Sequence, residues 1–100
     1  MANRNYVAGA RLERERLNFY KKQGYMGARS AGSHSPFDLI VYNTDEVIAI
    51  QCKRTTSKSE AKRLALSFSA SPPLGKLCRS LKQRMEIKIK GSTDIITVNV

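Results

Sequence analysis

The sequence predicts one small domain of the α/β (α+β) class, in which helices and β-strands follow one another along the chain. Its 100 residues suffice for a single domain, residues 1–100. Apolar residues make up 41% and charged residues 26%, which is typical of a globular rather than a disordered chain. Apolar residues recur about every 3.6 residues in some segments and about every 2 residues in others, as expected where helices alternate with strands. A domain of this size buries a modest core, so we expect it to pair with a second subunit.

Residues 8–23 are predicted to form the first helix, which Gly24 ends after two lysines in the last turn. At 100° per residue, Glu13 falls within the apolar arc of this helix, whereas Glu15 falls on the polar side and is expected to be solvated. A lone carboxylate in the arc is costly unless it is paired or bound to a metal ion. Arg16 also lies in the arc and could either pair with Glu13 or extend to solvent.

A β-hairpin is predicted next. Residues 25–29 suit a short strand, and the segments 37–42 and 47–53 are rich in β-branched and aromatic residues. Residues 43–46 separate these two segments and are expected to form a solvent-facing turn that carries two acids.

The second half of the chain is predicted to form a helix followed by strands. Ser57 with Glu60 three residues on is a capping box, the signature of a helix start. Residues 58–70 place apolar side chains at the spacing of one helix face, and two prolines end the helix. Alternating apolar residues predict two more strands and are compatible with a third, at residues 85–89, 96–100 and 77–81.

The net charge of +10 is very large for this length and indicates a polyanionic partner, most simply nucleic acid. The charge is uneven, since residues 1–30 carry +5, residues 31–50 carry −3 and residues 51–90 carry +9. Carboxylates that face a phosphate backbone weaken binding, so the acidic segment needs another role. With two of its acids in the turn, Asp38 remains as a candidate metal ligand.

Several classes are excluded. No apolar run reaches the about 18 residues that span a bilayer, and no signal peptide opens the chain. Cys52 and Cys78 lie too far apart for metal-ligand spacing, and a chain with one His and no Cys pair is not a zinc finger. We expect reduced cysteines and a cytoplasmic protein, in a cell or in the host of a virus.

The predicted hairpin gathers three chemically useful side chains. A symmetric hairpin pairs Tyr42 with Val47, which places Asp38 opposite Gln51, and Lys53 shares their face. The other face is predicted to be core and carries the alternate residues Ile48, Ile50 and Cys52.

Together with Glu13, these residues suit a site for a hard cation. Mg²⁺ prefers oxygen ligands, takes one or two carboxylates from a protein and completes its shell with water and substrate phosphate. Such an ion polarises a phosphodiester and lowers the pKa of bound water, while Lys53 can position that water or neutralise developing charge. The alternative is that Asp38 and Lys53 are merely exposed strand ends.

Five segments of the first half resemble the archaeal-type Holliday junction resolvases (Hjc-like), a group within the PD-(D/E)xK nuclease superfamily. They occur in order and with compatible spacing across residues 4–58. The combination of a helix-borne Glu, an Arg-Ser-Ala-Gly-Ser loop and a D…(E/Q)xK hairpin is more specific than any one part. The segments are residues 9–15, 24–25, 29–33, 37–41 and 50–53.

The resemblance implies a restriction-endonuclease-like core, a central mixed β-sheet flanked by helices, in a homodimer that nicks four-way DNA junctions with Mg²⁺ or Mn²⁺. By motif position, the metal-site residues would be Glu13, Asp38 and Gln51, and the catalytic lysine would be Lys53. The helix at 58–70 and the late strands would contribute to the dimer surface. Arg14, Arg29 and the loop after it would contact DNA, and the predicted DNA surface extends to Arg4, Arg11, Ser30, Ser33, His34, Arg54 and Lys58.

Gln51 departs from the family pattern, in which this position is usually Glu. An amide oxygen can still bind a metal ion, but Glu13 and Asp38 then supply the only two formal negative charges of the site. We therefore expect a weaker metal affinity and a higher divalent-ion requirement. Glutamine is tolerated at this position elsewhere in the superfamily.

The predicted function is a Mg²⁺-dependent, structure-specific endonuclease that resolves Holliday junctions by paired nicks, with no membrane and no small-molecule cofactor involved. Two identical sites related by a two-fold axis suit a substrate that must be cut on two strands. Two alternatives stay open. The chain could be a superfamily nuclease that acts on other DNA, such as duplex or flap ends, or a catalytically inactive basic DNA-binding protein, which Gln51 makes conceivable.

Overall fold

A computed structural model of the protein describes residues 4–30, 35–76 and 81–100. The described chain contains α1 (Arg4–Lys22), β1 (Met26–Arg29), β2 (Leu39–Tyr42), β3 (Val47–Thr55), α2 (Lys58–Ala70), β4 (Lys82–Ile89) and β5 (Ile95–Asn99). The predicted mixture of helices and strands is confirmed. The strand considered at 77–81 and the residue Cys78 fall on or next to the segment 77–80, which lies outside the described residues.

The five strands form one mixed sheet in the order β1-β2-β3-β4-β5. The β3–β4 pair is parallel and the other three pairs are antiparallel. A parallel pair requires a crossover connection, and α2 lies within the one that joins β3 to β4. The β2–β3 hairpin has the predicted register, from Tyr42–Val47 to Leu39–Ile50. Asn43 closes its turn by accepting the backbone N–H groups of the next two acids at 2.8 and 2.9 Å.

A helix covers each face of the sheet, so both faces of β3 are core. On the α1 side the buried cluster comprises Leu17, Tyr20, Leu39, Val41, Ile48 and Ile50. On the α2 side it comprises Phe37, Ala49, Ala61, Phe68, Met85 and Ile87. The prediction that only one hairpin face is core was therefore incomplete. β3 has a parallel neighbour, so the crossover helix α2 covers one of its faces, while α1 covers the other.

The strand boundaries differ from the predicted ones at the point where the site lies. β2 begins at Leu39 rather than at residue 37, since Asp38 is outside the regular ladder and bonds to β3 through both its backbone N–H and its side chain. β3 continues to Thr55, two residues beyond its predicted end, because its parallel pairing with β4 extends to Thr55–Ile89. β3 therefore projects past the end of β2.

The helix boundaries follow the sequence signals more closely. α1 begins at Arg4, four residues before its predicted start, and is followed as predicted by Gly24, whose φ of 93° favours glycine. α2 spans the predicted residues, and Ser57 Oγ accepts the N–H of Glu60 at 3.2 Å. Neither helix combines the length and the hydropathy that crossing a membrane requires, as far as the described residues show.

Candidate functional site

The predicted site lies where β2 begins and β3 runs on beside it. The antiparallel ladder ends at the pair Leu39–Ile50, while β3 continues to Thr55 on its β4 side. A strand edge that has lost its neighbour exposes backbone N–H and C=O groups that need other partners. The side chain that precedes β2 supplies one of them.

Asp38 is fixed by three hydrogen bonds at this edge. Its N–H donates to the carbonyl of Ile50 at 2.9 Å, and its Oδ2 accepts the N–H of Cys52 at 2.8 Å. These two contacts lie on either side of Gln51, so Asp38 is held alongside the predicted partner. Its own carbonyl accepts the N–H of Ser30 at 2.8 Å, which ties the end of β1 to the same point.

Glu13 of α1 lies within electrostatic reach of Asp38. Its side chain is 19% exposed, and it pairs with Arg29, Nε to Oε1, at 3.6 Å. Burial, followed by the charge of Asp38, raises the pKa of the Glu13 carboxyl above its ordinary value, although Arg29 counteracts this. The inward direction predicted for Glu13 is confirmed. Its partner, however, is Arg29 on β1 and not Arg16.

Arg29 neutralises Glu13 only in part. The 3.6 Å separation exceeds hydrogen-bond distance, and among the described residues the buried Nε of Arg29 has no hydrogen-bond partner. Its side chain is 30% exposed. Because Nε is buried and faces Glu13, a phosphate oxygen would be bound by the exposed part of this guanidinium.

Replacing Arg29 with alanine should therefore weaken DNA binding in a folded protein. We expect an affinity loss of about 3- to 10-fold and a salt slope smaller by about 1, as for a lost phosphate contact. Fluorescence anisotropy with a metal-free four-way junction at several salt concentrations measures both. Arg29→Lys, which keeps the charge, should lose less, and unchanged affinity of Arg29→Ala would remove Arg29 from the DNA surface.

Gln51 and Lys53 lie on the α2 face of β3. In the parallel register they pair with Met85 and Ile87, which belong to the α2-side core. Both side chains are half-buried. They share a face as predicted, whereas Asp38 lies at the sheet edge, because its carboxylate binds a backbone N–H of β3. Glu13 approaches from the α1 side, so the predicted site residues surround the open end of β2 from both faces.

The donor set fits a hydrated divalent cation rather than an ion enclosed by protein ligands. The described residues contain no group of three or more His, Cys, Asp or Glu side chains that could hold a metal ion. Glu13 and Asp38 are two carboxylates, the number that Mg²⁺ takes from a protein when waters and phosphate complete its shell. Burial first, and then the charge of Asp38, raise the pKa of Glu13 by disfavouring its charged form, which a bound cation would stabilise.

The residues predicted to contact DNA are distributed around this edge. Arg11 and Arg14 are exposed on α1, Arg54 is exposed on β3 next to Lys53, and Lys58 is exposed at the start of α2. Arg4 is the first residue of α1. Ser33 and His34 lie outside the described residues.

The acids of the hairpin turn have structural partners. Glu46, expected to face solvent, accepts the hydroxyl of Tyr25 at 2.7 Å and pairs with Lys82 at 3.0 Å. These partners, the tyrosine first, lower the pKa of its carboxyl. Of the three acids in the acidic segment, Asp38 is thus the one that reaches the end of β2.

Sequence reasoning missed Glu86, which is 1% exposed on β4. Its Oε1 accepts Arg16 Nε at 2.7 Å, and its Oε2 accepts the hydroxyl of Tyr20 at 2.5 Å. Burial and this hydrogen bond raise the pKa of Tyr20 to about 12. Glu86 alternates along β4 with Met85 and Ile87, a pattern that does not itself indicate that Glu86 is buried. The available signal was Arg16, a cation in the apolar arc of α1 that required an acidic partner.

A mixed sheet with a helix on each face and carboxylates at the open end of a hairpin defines the restriction-endonuclease-like fold. The family model for archaeal Holliday junction resolvases (Hjc) matches residues 4–65, and the chain belongs to this family. The 1.6 Å structure of Archaeoglobus fulgidus Hjc, a Holliday junction resolvase from an archaeal hyperthermophile, is similar in fold. The TM-score is 0.59 at 20% identity, over 92% of this chain and 72% of that chain. No curated protein matches the chain.

Proposed function

We propose that this protein is a divalent-metal-dependent endonuclease that cuts four-way DNA junctions as a homodimer. The observation that carries the proposal is the convergence of two carboxylates at the open end of β2: Asp38 binds the Cys52 N–H, and Glu13 pairs with Arg29 at the adjoining end of β1. Family membership supports a nuclease that acts on branched DNA. The metal requirement and the paired cuts are inferred from the residues and from the substrate's symmetry.

The chain's own residues can hold the cation and the scissile phosphate. Glu13, Asp38 and the amide oxygen of Gln51 would bind Mg²⁺ or Mn²⁺, which polarises a phosphodiester and lowers the pKa of a bound water. Asp38 uses Oδ2 to bind the N–H of Cys52, which leaves Oδ1 for this role. Arg29, whose side chain is 30% exposed, would bind a non-bridging phosphate oxygen through the exposed part of its guanidinium.

Lys53 would orient the attacking water or neutralise the charge that develops on the phosphate. It follows Gln51 by two residues on β3 and shares its face of the sheet. A half-buried ammonium at such a site acts in a medium that screens charge less than water does, so its effect on the transition state is large. The surrounding basic surface, from a chain with net charge +10, would hold the junction arms.

The homodimer has a candidate surface on the α2 side of the sheet. Exposed apolar side chains flank α2 there, with Ile40, Tyr42 and Val47 on one flank and Ile96 on the other. Leu66 of α2 itself is 64% exposed. One 13-residue helix does not cover five strands, and a second copy placed on this face would bury these residues and supply the second cutting site.

The proposal is tested by cleavage of a four-way junction, a flap and a linear duplex side by side with Mg²⁺ or Mn²⁺. We expect symmetric paired nicks in the junction alone, from a species that light scattering sizes as two chains. Equal cleavage of all three substrates would support a nuclease of broader specificity. Binding without cleavage at any metal concentration would support the inactive DNA-binding alternative.

Gln51→Glu restores the acid usual at this position in the family. Because it adds a third formal negative charge to the site, we expect equal or greater junction cleavage at low Mg²⁺, with the half-maximal Mg²⁺ concentration lowered by about 3- to 10-fold. A Mg²⁺ titration of the cleavage rate measures this. A clear loss of activity would mean that Gln51 does not occupy a ligand position.

A further inference from the structure

The face of α1 that carries Glu13 is anchored to β4 by side-chain contacts. Glu13 pairs with Arg29 at the end of β1, and three residues on, Arg16 reaches Glu86 of β4 with its Nε at 2.7 Å and its Nη2 at 3.4 Å. Tyr20 donates to the same carboxylate at 2.5 Å. Residues at positions i, i+3 and i+7 share one helix face. Glu86 therefore binds the face of α1 from which Glu13 projects.

We propose that Glu86 is a positioning residue for the carboxylate site. Through Arg16 and Tyr20 it fixes the rotation of α1 about its axis and its position along that axis, and so holds Glu13 beside Asp38. The inference rests on the proposed metal-dependent cleavage, since it assigns Glu86 to the geometry of that site.

Glu13 needs such an anchor. The apolar contacts that pack α1 on the sheet are non-directional, whereas a guanidinium–carboxylate fork fixes both distance and orientation. Glu13 and Asp38 repel each other, and Arg29 approaches Glu13 only to 3.6 Å. An anchor one turn away, through Arg16, resists the displacement that this repulsion favours.

Cys52 connects the anchor with the site on the β3 side. It pairs with Glu86 across the parallel β3–β4 ladder, and its backbone N–H binds Asp38. Cys52 thus contacts Glu86 on its β4 side and Asp38 on its β2 side. A shift of β4 relative to β3 would therefore also change the position of Asp38.

A purely stabilising role does not explain why a charged pair occupies this position. Glu86 is 1% exposed and the Arg16 side chain 14%. Replacing both members of a buried ion pair with apolar residues of similar volume is often neutral or stabilising, while removing one member leaves a costly unpaired charge. If Glu86 served stability alone, an apolar pair would do as well.

The test compares Glu86→Gln and the double variant Arg16→Met/Glu86→Leu with wild type. Glu15→Gln is the matched control, because Glu15 also joins α1 to β4, through Lys88 at 3.8 Å, but is 50% exposed. For each protein, calorimetric titration gives the Mn²⁺ dissociation constant without DNA. Junction cleavage gives the half-maximal metal concentration, and thermal unfolding gives the stability.

We expect both Glu86 variants to bind Mn²⁺ about 10-fold more weakly, the size of effect that residues supporting metal ligands have, while junction binding and the control stay at wild-type values. The double variant should show this loss while unfolding at a temperature no lower than wild type. Wild-type Mn²⁺ affinity in a folded double variant, or in Glu86→Gln if the double variant does not fold, would overturn the proposal. If wild type itself neither binds Mn²⁺ nor cuts, the proposed function fails, a result distinct from a difference between variants.

Discussion

Asp38→Asn is expected to lower the rate of junction cleavage by at least about 10³-fold. A bound metal ion stabilises a phosphoryl transition state by several kcal/mol, and a loss of about 4 kcal/mol corresponds to this factor. The amide keeps the size of the side chain and an oxygen that can accept the Cys52 N–H. It loses the charge that, with Glu13, would hold the cation. Single-turnover cleavage with Mg²⁺ and with Mn²⁺ measures the effect, and anisotropy confirms that the junction still binds.

Asp45→Asn is the matched control, because it removes a carboxylate from the same hairpin. Asp45 is exposed in the turn, and it contributes its backbone N–H to Asn43. Cleavage by this variant should equal that of wild type. If Asp38→Asn also cuts like wild type, Asp38 is not a metal ligand and the site lies elsewhere.

Lys53→Ala is expected to lower the single-turnover cleavage rate by about 10²- to 10³-fold, the effect of removing one group that stabilises developing charge. Because Lys53 is not a metal ligand, the half-maximal Mg²⁺ concentration should stay within about 2-fold of wild type, in contrast to a ligand variant. A Mg²⁺ titration under single-turnover conditions separates the two quantities.

Lys58→Ala serves as the control for the lysine, since Lys58 is exposed at the start of α2 and is expected only to contact DNA. It should weaken junction binding slightly and leave the rate of the bound complex unchanged. If Lys53→Ala cleaves at the wild-type rate, Lys53 has no catalytic role and is only a partly exposed residue near the end of its strand, the alternative raised in the sequence analysis.

The hairpin was predictable because its determinants are local. An Asn at the start of the turn and apolar strands on either side specify one register, and Tyr42–Val47 to Leu39–Ile50 is the register found. The predicted pair Asp38–Gln51 would come one step beyond the last pair of this ladder. The fixing of Asp38 by the Cys52 N–H was not predictable, because a side chain that replaces a ladder partner leaves no periodic signal.

Glu86 and the two-sided core were missed because they depend on long-range packing. A period of 2 around Met85 and Ile87 indicates one buried face but does not say whether the other is covered. In the fold the side chains of Arg16 and Tyr20 reach from α1 over this face, and Glu86 is buried against them. The contact joins residues 70 positions apart in sequence, so only the unexplained Arg16 pointed to it.

The central claim is that Glu13 and Asp38 together hold a divalent cation, and a crystal of the protein soaked in Mn²⁺ tests it most directly through anomalous scattering. We expect one anomalous peak at the open end of β2, within coordination distance of both carboxylates, and its loss in Asp38→Asn. Data in which Mn²⁺ occupies another position, with Glu13 and Asp38 both uncoordinated, would contradict the account.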